Sequence, residues 1–410
     1  MLSRILFLSF LIIVIDLLAF QALKTILDSA GRLTKIISYT IYWCIPVLTL
    51  LYVVGYTTGW SEQFPKGIKL TLRSLIFIFY FAKLLIASII LIDDLRRVLF
   101  GALNIGFKDF RLSTERSKWM SYIGLAIGAI PILSLIYGMA RNPYRYQLLK
   151  NKIPVKNLHP DLVGLKIIQI SDIHSGSFLL KEPVERSIQI INDQEPDIVF
   201  FTGDLVNSRA VEMEPFVEMF SKIKAPLGVY SVLGNHDYGD YHPWPNASDK
   251  KDNFEQLRNI HKSLGWDLLL NEHREIKIKD TAINVIGVEN YSAHPRFPKY
   301  GDLSKATANM MERGFNILLS HDPSHWDDQV VKLYKNINLT LSGHTHGAQF
   351  GVNIPGVIKW SPIQYVYKHW SGLYENESQY LYVNKGLGYL GYPGRVGMLP
   401  EITLLTLEAS

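Results

Sequence analysis

Five short polar clusters punctuate the second half of the chain, and each follows an apolar, strand-like run. In order they are Asp172-Ile173-His174, Gly203-Asp204, Gly234-Asn235-His236-Asp237, Ser320-His321-Asp322 and Gly343-His344-Thr345-His346. Any one of them is an ordinary turn, because Gly-Asn and Gly-Asp start turns and loops carry His freely. Together they put Asp172, His174, Asp204, Asn235, His321, His344 and His346 at strand ends, where an open α/β sheet gathers its ligand. These are oxygen and imidazole donors with no thiolate, a set that suits Mn²⁺, Fe or Zn²⁺. Seven donors exceed what one tetrahedral ion needs and match two ions that share a carboxylate.

The elements that must position these side chains alternate regularly. Strands are predicted at 165–171, 197–202, 228–233, 317–320 and 339–342, and helices at 183–193, 211–223, 254–264, 303–313 and 326–334. A strand pair at 276–279 and 283–288 interrupts the alternation, and strands at 380–383 and 402–407 close it. Strand–helix alternation implies a mainly parallel first sheet, and the later strands imply a second, more antiparallel one. Residues 144–162 read as an extended arm or edge strand, since Pro154 and Pro160 exclude a central position.

In this order the motifs resemble those of the calcineurin-like metallophosphoesterases. The finer match is to their bacterial membrane-associated phosphodiesterase branch, through Ser-Asp-Ile-His at 171–174, Gly-His-Thr-His-Gly at 343–347 and Pro-Glu-Ile at 400–402. The resemblance covers residues 145–410 and implies a two-sheet α-β-β-α sandwich. It further implies that one divalent ion takes Asp172, His174 and His346, that the other takes Asn235, His321 and His344, and that Asp204 bridges both. A hydroxide held between the ions would then attack phosphorus in line, with no Ser or Cys nucleophile. His236, free of metal duty by the same resemblance, would protonate or stabilise the leaving oxygen, with Asp237 or a neighbouring carboxylate holding its other nitrogen. Two positions depart from the branch: Ala348 stands where a second glycine is usual, and Asn207 where an acid is frequent.

Other conspicuous residues read more plainly. Asp322-Pro323 looks like the start of a helix, and His159, His261, His273 and His325 look like surface or cap residues. The turns Gly386-Leu387-Gly388 and Gly391-Tyr392-Pro393-Gly394 suit backbone geometry better than phosphate binding, whereas the Arg395 guanidinium is a candidate phosphate contact.

The rest of the chain is of another kind. Four apolar stretches, 2–23, 36–56, 70–92 and 120–139, are each near the about 20 residues that cross a bilayer. We therefore expect a transmembrane region with four helices over 1–142 and a catalytic domain over 143–410, an α/β fold preceded by a membrane bundle. Residues 1–150 carry 17 Lys and Arg against 7 Asp and Glu, so the basic balance of the chain resides there. The remainder is acidic by about 5 charges, which argues against a nuclease and against nucleic acid as partner. Basic residues flank the spans eight on one side and nine on the other, a tie under the positive-inside rule, and we take the cytoplasmic side as the expectation for the catalytic domain. The single cysteine, Cys44, allows no intrachain disulfide.

Asp16 and Lys83 fall at similar depth in the first and third spans and are expected to pair inside the bundle; the alternative is that Lys83 snorkels to an interface and Asp16 is protonated. The stretches 238–245 and 358–374 hold Tyr238, Tyr241, Trp244, Trp360, Tyr365, Tyr367 and Trp370, a composition that suits either the headgroup level of a bilayer or a lid or secondary core packed on the domain's own sheet. The expectation is thus a membrane-anchored two-metal phosphodiesterase or phosphatase acting on a phosphorylated or lipid-linked small molecule. A catalytically silent receptor on the same fold is the competing reading, and silent members should lose ligands that this chain keeps. Nothing in the sequence names a protein partner.

Overall fold

The computed structural model describes residues 2–107, 111–310, 314–354 and 356–410. The chain divides into two compact units, Met1–Gly138 and Met139–Ser410. The basic residue Lys108 and the end of the helix predicted at 303–313 lie outside the described residues.

The first unit is helical, with α1 (Leu2–Ile26), α2 (Arg32–Thr57), α3 (Lys66–Gly106) and α4 (Lys118–Arg141). All four are long and apolar enough to cross a membrane. α3 outruns its predicted span. Its 41 residues measure about 61 Å at 1.5 Å per residue, twice the roughly 30 Å hydrocarbon core. The extension is held by charge: Arg96 Nε donates to Asp93 Oδ1 at 2.9 Å and Arg116 Nη2 to Asp94 Oδ1 at 2.6 Å. α4 packs closely on α3, since a Cβ at Gly128 would stand 2.6 Å from Ile86 Cγ1. Small residues serve helix contacts in this way where lipid removes the hydrophobic drive.

The second unit begins with β1 (Gln147–Val155), β2 (Lys166–Ile170), α5 (Lys181–Asn192) and β3 (Ile198–Phe201). α6 (Val217–Phe220), β4 (Val229–Ser231), α7 (Ala247–Leu264) and β5 (Asp267–Leu268) follow. Next come β6 (Glu272–Ile278), β7 (Thr281–Gly287), α8 (Leu303–Ala306), β8 (Phe315–Leu319), α9 (Val331–Leu333) and β9 (Leu339–Ser342). The chain closes with β10 (Val352–Ile354), β11 (Ile358–Trp360), β12 (Gly372–Asn376), β13 (Gln379–Val383) and β14 (Glu401–Ala409). One six-stranded sheet runs β1-β14-β2-β3-β4-β5 and another β12-β13-β9-β8-β7-β6.

Alternation along each strand makes this a sandwich. In β3, Ile198 and Phe200 join the core between the sheets, while Val199 and Phe201 join the outer core with Val184 and Ile188 of α5 and Leu257 of α7. On the far side Ile286 and Leu318 pack with Leu303, Trp326 and Val330. Strands buried on both faces read as unbroken apolar runs, and each large side chain so buried contributes about 1.5–3 kcal/mol. The fold is thus the α-β-β-α sandwich expected.

Several elements differ from the prediction. The second sheet is antiparallel only at its outer pairs, β12 with β13 and β6 with β7, because the chain between its inner strands crosses over and keeps them parallel. The helix predicted at 211–223 breaks into two 3₁₀ turns and α6, since Pro215 can neither donate nor continue a helix begun before it. The helix from 303 stops at Ala306, ahead of Asn309 in the left-handed region at φ 60°. The helix predicted at 326–334 is a π-turn, Trp326–Val330, that runs into α9. The arm after α4 is a true edge strand, β1, paired parallel to β14 over its whole length.

Inside the helical unit Lys83 Nζ donates to Asp16 Oδ1 at 2.5 Å, and Tyr80 OH donates to Asp16 Oδ2 at 2.9 Å. Tyr42 OH donates to the Asp16 backbone oxygen at 2.7 Å. Asp16 is wholly buried, so the expected pair forms. Removing one partner of such a pair strands a charge and costs about 3–5 kcal/mol, whereas removing both costs far less. Asp16→Asn and Lys83→Met are each expected to lower the unfolding midpoint in detergent or bicelles more than the double variant does. Additive losses would show that the two charges are not coupled.

Candidate metal centre

The five polar clusters meet at one edge of the sandwich. Asp172 and His174 follow β2, Asp204 follows β3, Asn235 and His236 follow β4, His321 follows β8, and His344 and His346 follow β9. Backbone bonds lace these loops together: Asp172 N donates to Gly203 O at 2.9 Å, His174 N to Asp204 O at 3.0 Å and Gly343 N to His321 O at 2.9 Å. The approach is close enough to forbid side chains at two positions. A Cβ at Gly234 would stand 2.3 Å from Asp204 Oδ1, and one at Gly343 would stand 2.2 Å from Asp172 Oδ2.

Two donor groups result. Asp172, His174 and His346 form one, Asp204, His321 and His344 the other. In the first, His346 Nε2 lies 3.2 Å from Asp172 Oδ1 and 3.1 Å from His174 Nε2. In the second, His344 Nδ1 lies 3.2 Å from His321 Nε2. One oxygen serves both, since Asp204 Oδ2 is 3.4 Å from His174 Nε2 and 3.2 Å from His321 Nε2. Asp204 Oδ1 accepts from the backbone N–H of His236 at 2.8 Å.

The electrostatics suit cations. Burial pushes His174 down to about 3 and His344 down to about 4. Burial, with His174 and Arg395 beside it, holds His346 well below the usual range. These imidazoles are neutral and present lone pairs, the form a metal requires. Burial alone would also discharge His321, but the Asp204 carboxylate outweighs it and pushes His321 up to about 10. Burial opposes the charge of Asp204 as well, yet His321 and then His236 hold it well below the carboxylate range. Burial pushes Asp172 up to about 6 against the pull of His321. A dication would substitute for the His321 proton as the positive partner of these carboxylates.

Asn235 tests the fit of a metal independently. Its Nδ2 donates to Tyr241 OH at 3.0 Å, while its Oδ1 is buried with no hydrogen-bond partner. A buried acceptor left so costs about 1–3 kcal/mol unless a ligand takes it. The orphaned oxygen, the facing imidazole nitrogens and the thiolate-free donor set all fit Mn²⁺, Fe or Zn²⁺.

Five of these residues stand in the left-handed backbone region, Asp172, His174, Asp204, His344 and His346, with φ between 44° and 70°. Non-glycine residues there cost about 1–3 kcal/mol each and gather at functional sites. Ala348 shares the strain at φ 52°, which is what its departure from the usual glycine does.

Several expected roles change. Asp237 does not hold His236. Its carboxylate accepts from the backbone N–H groups of Asp204, Leu205 and Gly234 at 2.8–2.9 Å, so it shapes the loop that carries the ligands. Burial, then the charge of Asp204, pushes it up to about 7. The Asn207 carbonyl takes the His236 ring instead, 2.7 Å from Nδ1. Arg395 is wholly buried and donates to the backbone oxygens of Gly388, Lys385, Gly386 and Met398, which leaves no guanidinium edge for a phosphate. The Gly386–Gly388 turn likewise packs on the Asp172 loop, where Gly388 N donates to Asp172 O at 2.8 Å. His261 and His325 are interior residues bonded to Ser231 Oγ at 3.0 Å and Ser320 Oγ at 2.8 Å, not surface or cap residues. His159 does cap a 3₁₀ turn, Pro160–Leu162.

Sequence reasoning missed four partners. Tyr367 OH lies 2.8 Å from His344 Nε2 and donates to Asp322 Oδ2 at 3.2 Å, so Asp322 and Tyr367 together orient His344. The adjacency of Asp322 to His321 was a usable signal; Tyr367 sits 45 residues further on with none. Arg296 and Phe297 come from the loop after β7 and line a cleft of about 400 Å³ with His174, Asn235, His236 and His344. Of the aromatic residues expected at a bilayer, Tyr238, Tyr367 and Trp370 are buried in the catalytic unit.

Comparison with known proteins agrees with this geometry. Residues 165–348 match the family model described as Calcineurin-like phosphoesterase. Residues 3–143 match that described as "Probable Calcineurin-like phosphoesterase, transmembrane domain". A Bacillus subtilis protein, "Uncharacterized metallophosphoesterase YkuE", is 31% identical over 284 residues, 67% of this chain and 90% of that one. A Danio rerio protein, "Transmembrane protein with metallophosphoesterase domain", is 31% identical over 282 residues, 67% of this chain and 60% of that one. The chain therefore spans rather more than half of the longer relative. It belongs to the calcineurin-like metallophosphoesterases, a family of metal-dependent hydrolases, and carries the family's four-helix membrane region.

The Tyr367 hydroxyl gives a direct check on the outer shell. Tyr367→Phe frees His344 Nε2 and is expected to weaken metal binding at the Asp204–His321–His344 group by about 10–100-fold. Titration should find the Asp172 group unchanged. Ala348→Gly, which relieves a left-handed alanine, is expected to stabilise the fold by up to about 1 kcal/mol without altering metal content.

Proposed function

We propose that the chain is a membrane-anchored phosphoesterase that hydrolyses a phosphodiester, pyrophosphate or phosphomonoester bond with two divalent ions. Asp172, His174 and His346 would hold one ion, Asn235, His321 and His344 the other, and Asp204 both. One observation carries this reading: a single carboxylate oxygen of Asp204 lies within 3.4 Å of imidazoles from two separate donor groups. When bound, the ions supply Lewis acidity and an activated water nucleophile near neutral pH.

The protein's own groups then have distinct tasks. Water oxygen bonds to phosphorus and releases its proton to solvent as the P–O bond to the ester oxygen breaks. His236, half-buried at the cleft, is the proton donor to that leaving oxygen. The Asn207 carbonyl accepts from its Nδ1–H and so keeps Nε2 as the working nitrogen. Tyr241 backs the ring at a centroid distance of 4.6 Å. Arg296, whose guanidinium lies 5.2 Å over the Phe297 ring, is the cation of the cleft that meets the anionic oxygens of the substrate.

Asp204→Ala is expected to lose both ions together, measured as metal per protein. A variant that kept two ions and full turnover would overturn the reading. His236→Ala is expected to keep both ions while kcat on bis(4-nitrophenyl) phosphate falls about 10²–10⁴-fold. Loss of metal from that variant would make His236 a ligand instead. Arg296→Ala should raise KM more than it lowers kcat.

A further inference from the structure

The exposed apolar side chains of the catalytic unit are concentrated. Of sixteen large ones exposed between residues 139 and 410, among the described residues, eight fall in the 24-residue stretch 350–373. Among the described residues, strands β10 and β11 pair only with each other, Ile354 opposite Ile358, and join neither six-stranded sheet. A lone two-stranded hairpin is marginal in water. This one carries Val352, Ile354, Val357 and Ile358, with Tyr365 and Val366 directly after it, and Val357 and Tyr365 are 79% and 78% exposed. Burial of such side chains is favourable, and a patch of this kind marks an interaction surface.

The patch leads into the cleft. Val366 is exposed and also lines the cavity, where Ile363, Phe297 and Leu390 form an apolar wall with the His and Asp groups. Charge narrows the choice of partner. Residues 350–373 contain no Asp or Glu, although residues 151–410 are acidic overall; of their two lysines, Lys359 Nζ donates to Ser371 O, and Lys368, 3.5 Å from Asp327, keeps its side chain 76% exposed at the surface. Trp360 Nε1 and Tyr365 OH, 3.4 Å apart, add the amphipathic aromatics of a membrane interface. The same chain carries four helices able to cross a bilayer, and only residues 142–146 separate α4 from β1.

We infer that the β10–β11 hairpin, with Tyr365 and Val366, inserts into the headgroup–acyl boundary of an anionic bilayer. A membrane-embedded phosphoester then enters the cleft with its apolar part along Ile363, Val366 and Leu390. The substrate half of this inference rests on the phosphoesterase reading; the docking half does not.

The test uses the full chain in nanodiscs of phosphatidylcholine and phosphatidylglycerol. Val357→Cys, in a Cys44→Ser background, is labelled with an environment-sensitive fluorophore. Docking predicts a blue-shifted emission that spin-labelled lipid quenches. Emission of a water-exposed probe, unquenched by lipid, overturns it. So does a shift that depends on protein density and tracks cross-linking through residue 357, because the patch would then meet a second copy. In parallel, Ile354→Asp with Val357→Asp and Ile358→Asp should leave turnover of bis(4-nitrophenyl) phosphate within twofold. The same variant should lower turnover of a phosphatidyl diester in the nanodisc at least tenfold. Equal losses on both substrates would make the hairpin part of the fold or cleft and overturn the inference. Quenching of the labelled Val357→Cys protein, with a wild type that cleaves neither substrate, would sink the phosphoesterase reading while leaving the docking intact.

Discussion

A carboxylate buried among imidazoles is the constraint on which the catalytic unit depends. Asp204 is 1% exposed, and a charge so placed costs several kcal/mol unless it is matched on every side. It is matched by the His236 amide on one oxygen and by His174 and His321 on the other. Those partners come from strands of both sheets, so the sandwich must bring two sets of strand ends within hydrogen-bond reach. The glycines before the ligands follow from this, since any side chain at Gly234 would occupy the space of the Asp204 carboxylate. Asp237 completes the arrangement from below by gathering the amides of the loops that present Asp204 and Asn235.

The site is also where the fold is least at ease. Left-handed backbone at Asp172, His174, Asp204, His344 and His346 opposes folding, and so does the unpaired oxygen of Asn235. Between and outside the sheets, residues such as Phe200, Phe201, Leu319 and Leu341 are fully buried, and their packing offsets that cost. Rigid strands and strained loops are thus two sides of one design: the core fixes where each strand ends, and the loops bend sharply to turn their donors inward.

Similar residues are put to different uses by their surroundings. Trp370 and Tyr367 are buried beside the site, one through its backbone oxygen bonded to Thr345 Oγ1 and the other through a hydroxyl on His344. Tyr365, two residues from Tyr367, faces solvent. Arg395 and Arg296 differ in the same way: the first is wrapped in backbone oxygens and the second lines the cleft. In the helical unit, Asp16 and Lys83 are tolerable because each is the other's partner, with Tyr80 and Tyr42 bonding the same aspartate.

The sequence by itself determined the periods and the punctuation. Unbroken apolar runs such as 198–201 and 317–319 announced buried strands, each leading to a Gly- or Ser-led polar cluster, and four long apolar stretches announced the membrane helices. The ligand types were legible because donor chemistry is a property of side chains, and the family's order of motifs is written along the chain. Tertiary structure alone decided which groups meet. Nothing local in the sequence says that the Asn207 carbonyl holds His236 across 29 residues, or that Tyr367 and Asp322 share His344. Nor could it say that Arg395 is consumed by backbone oxygens, that His261 and His325 lie inside, or that the hairpin stays outside both sheets. The physical reason is that hydrogen-bond reach is about 3 Å, and only the packing of two sheets against each other settles which distant atoms come within it.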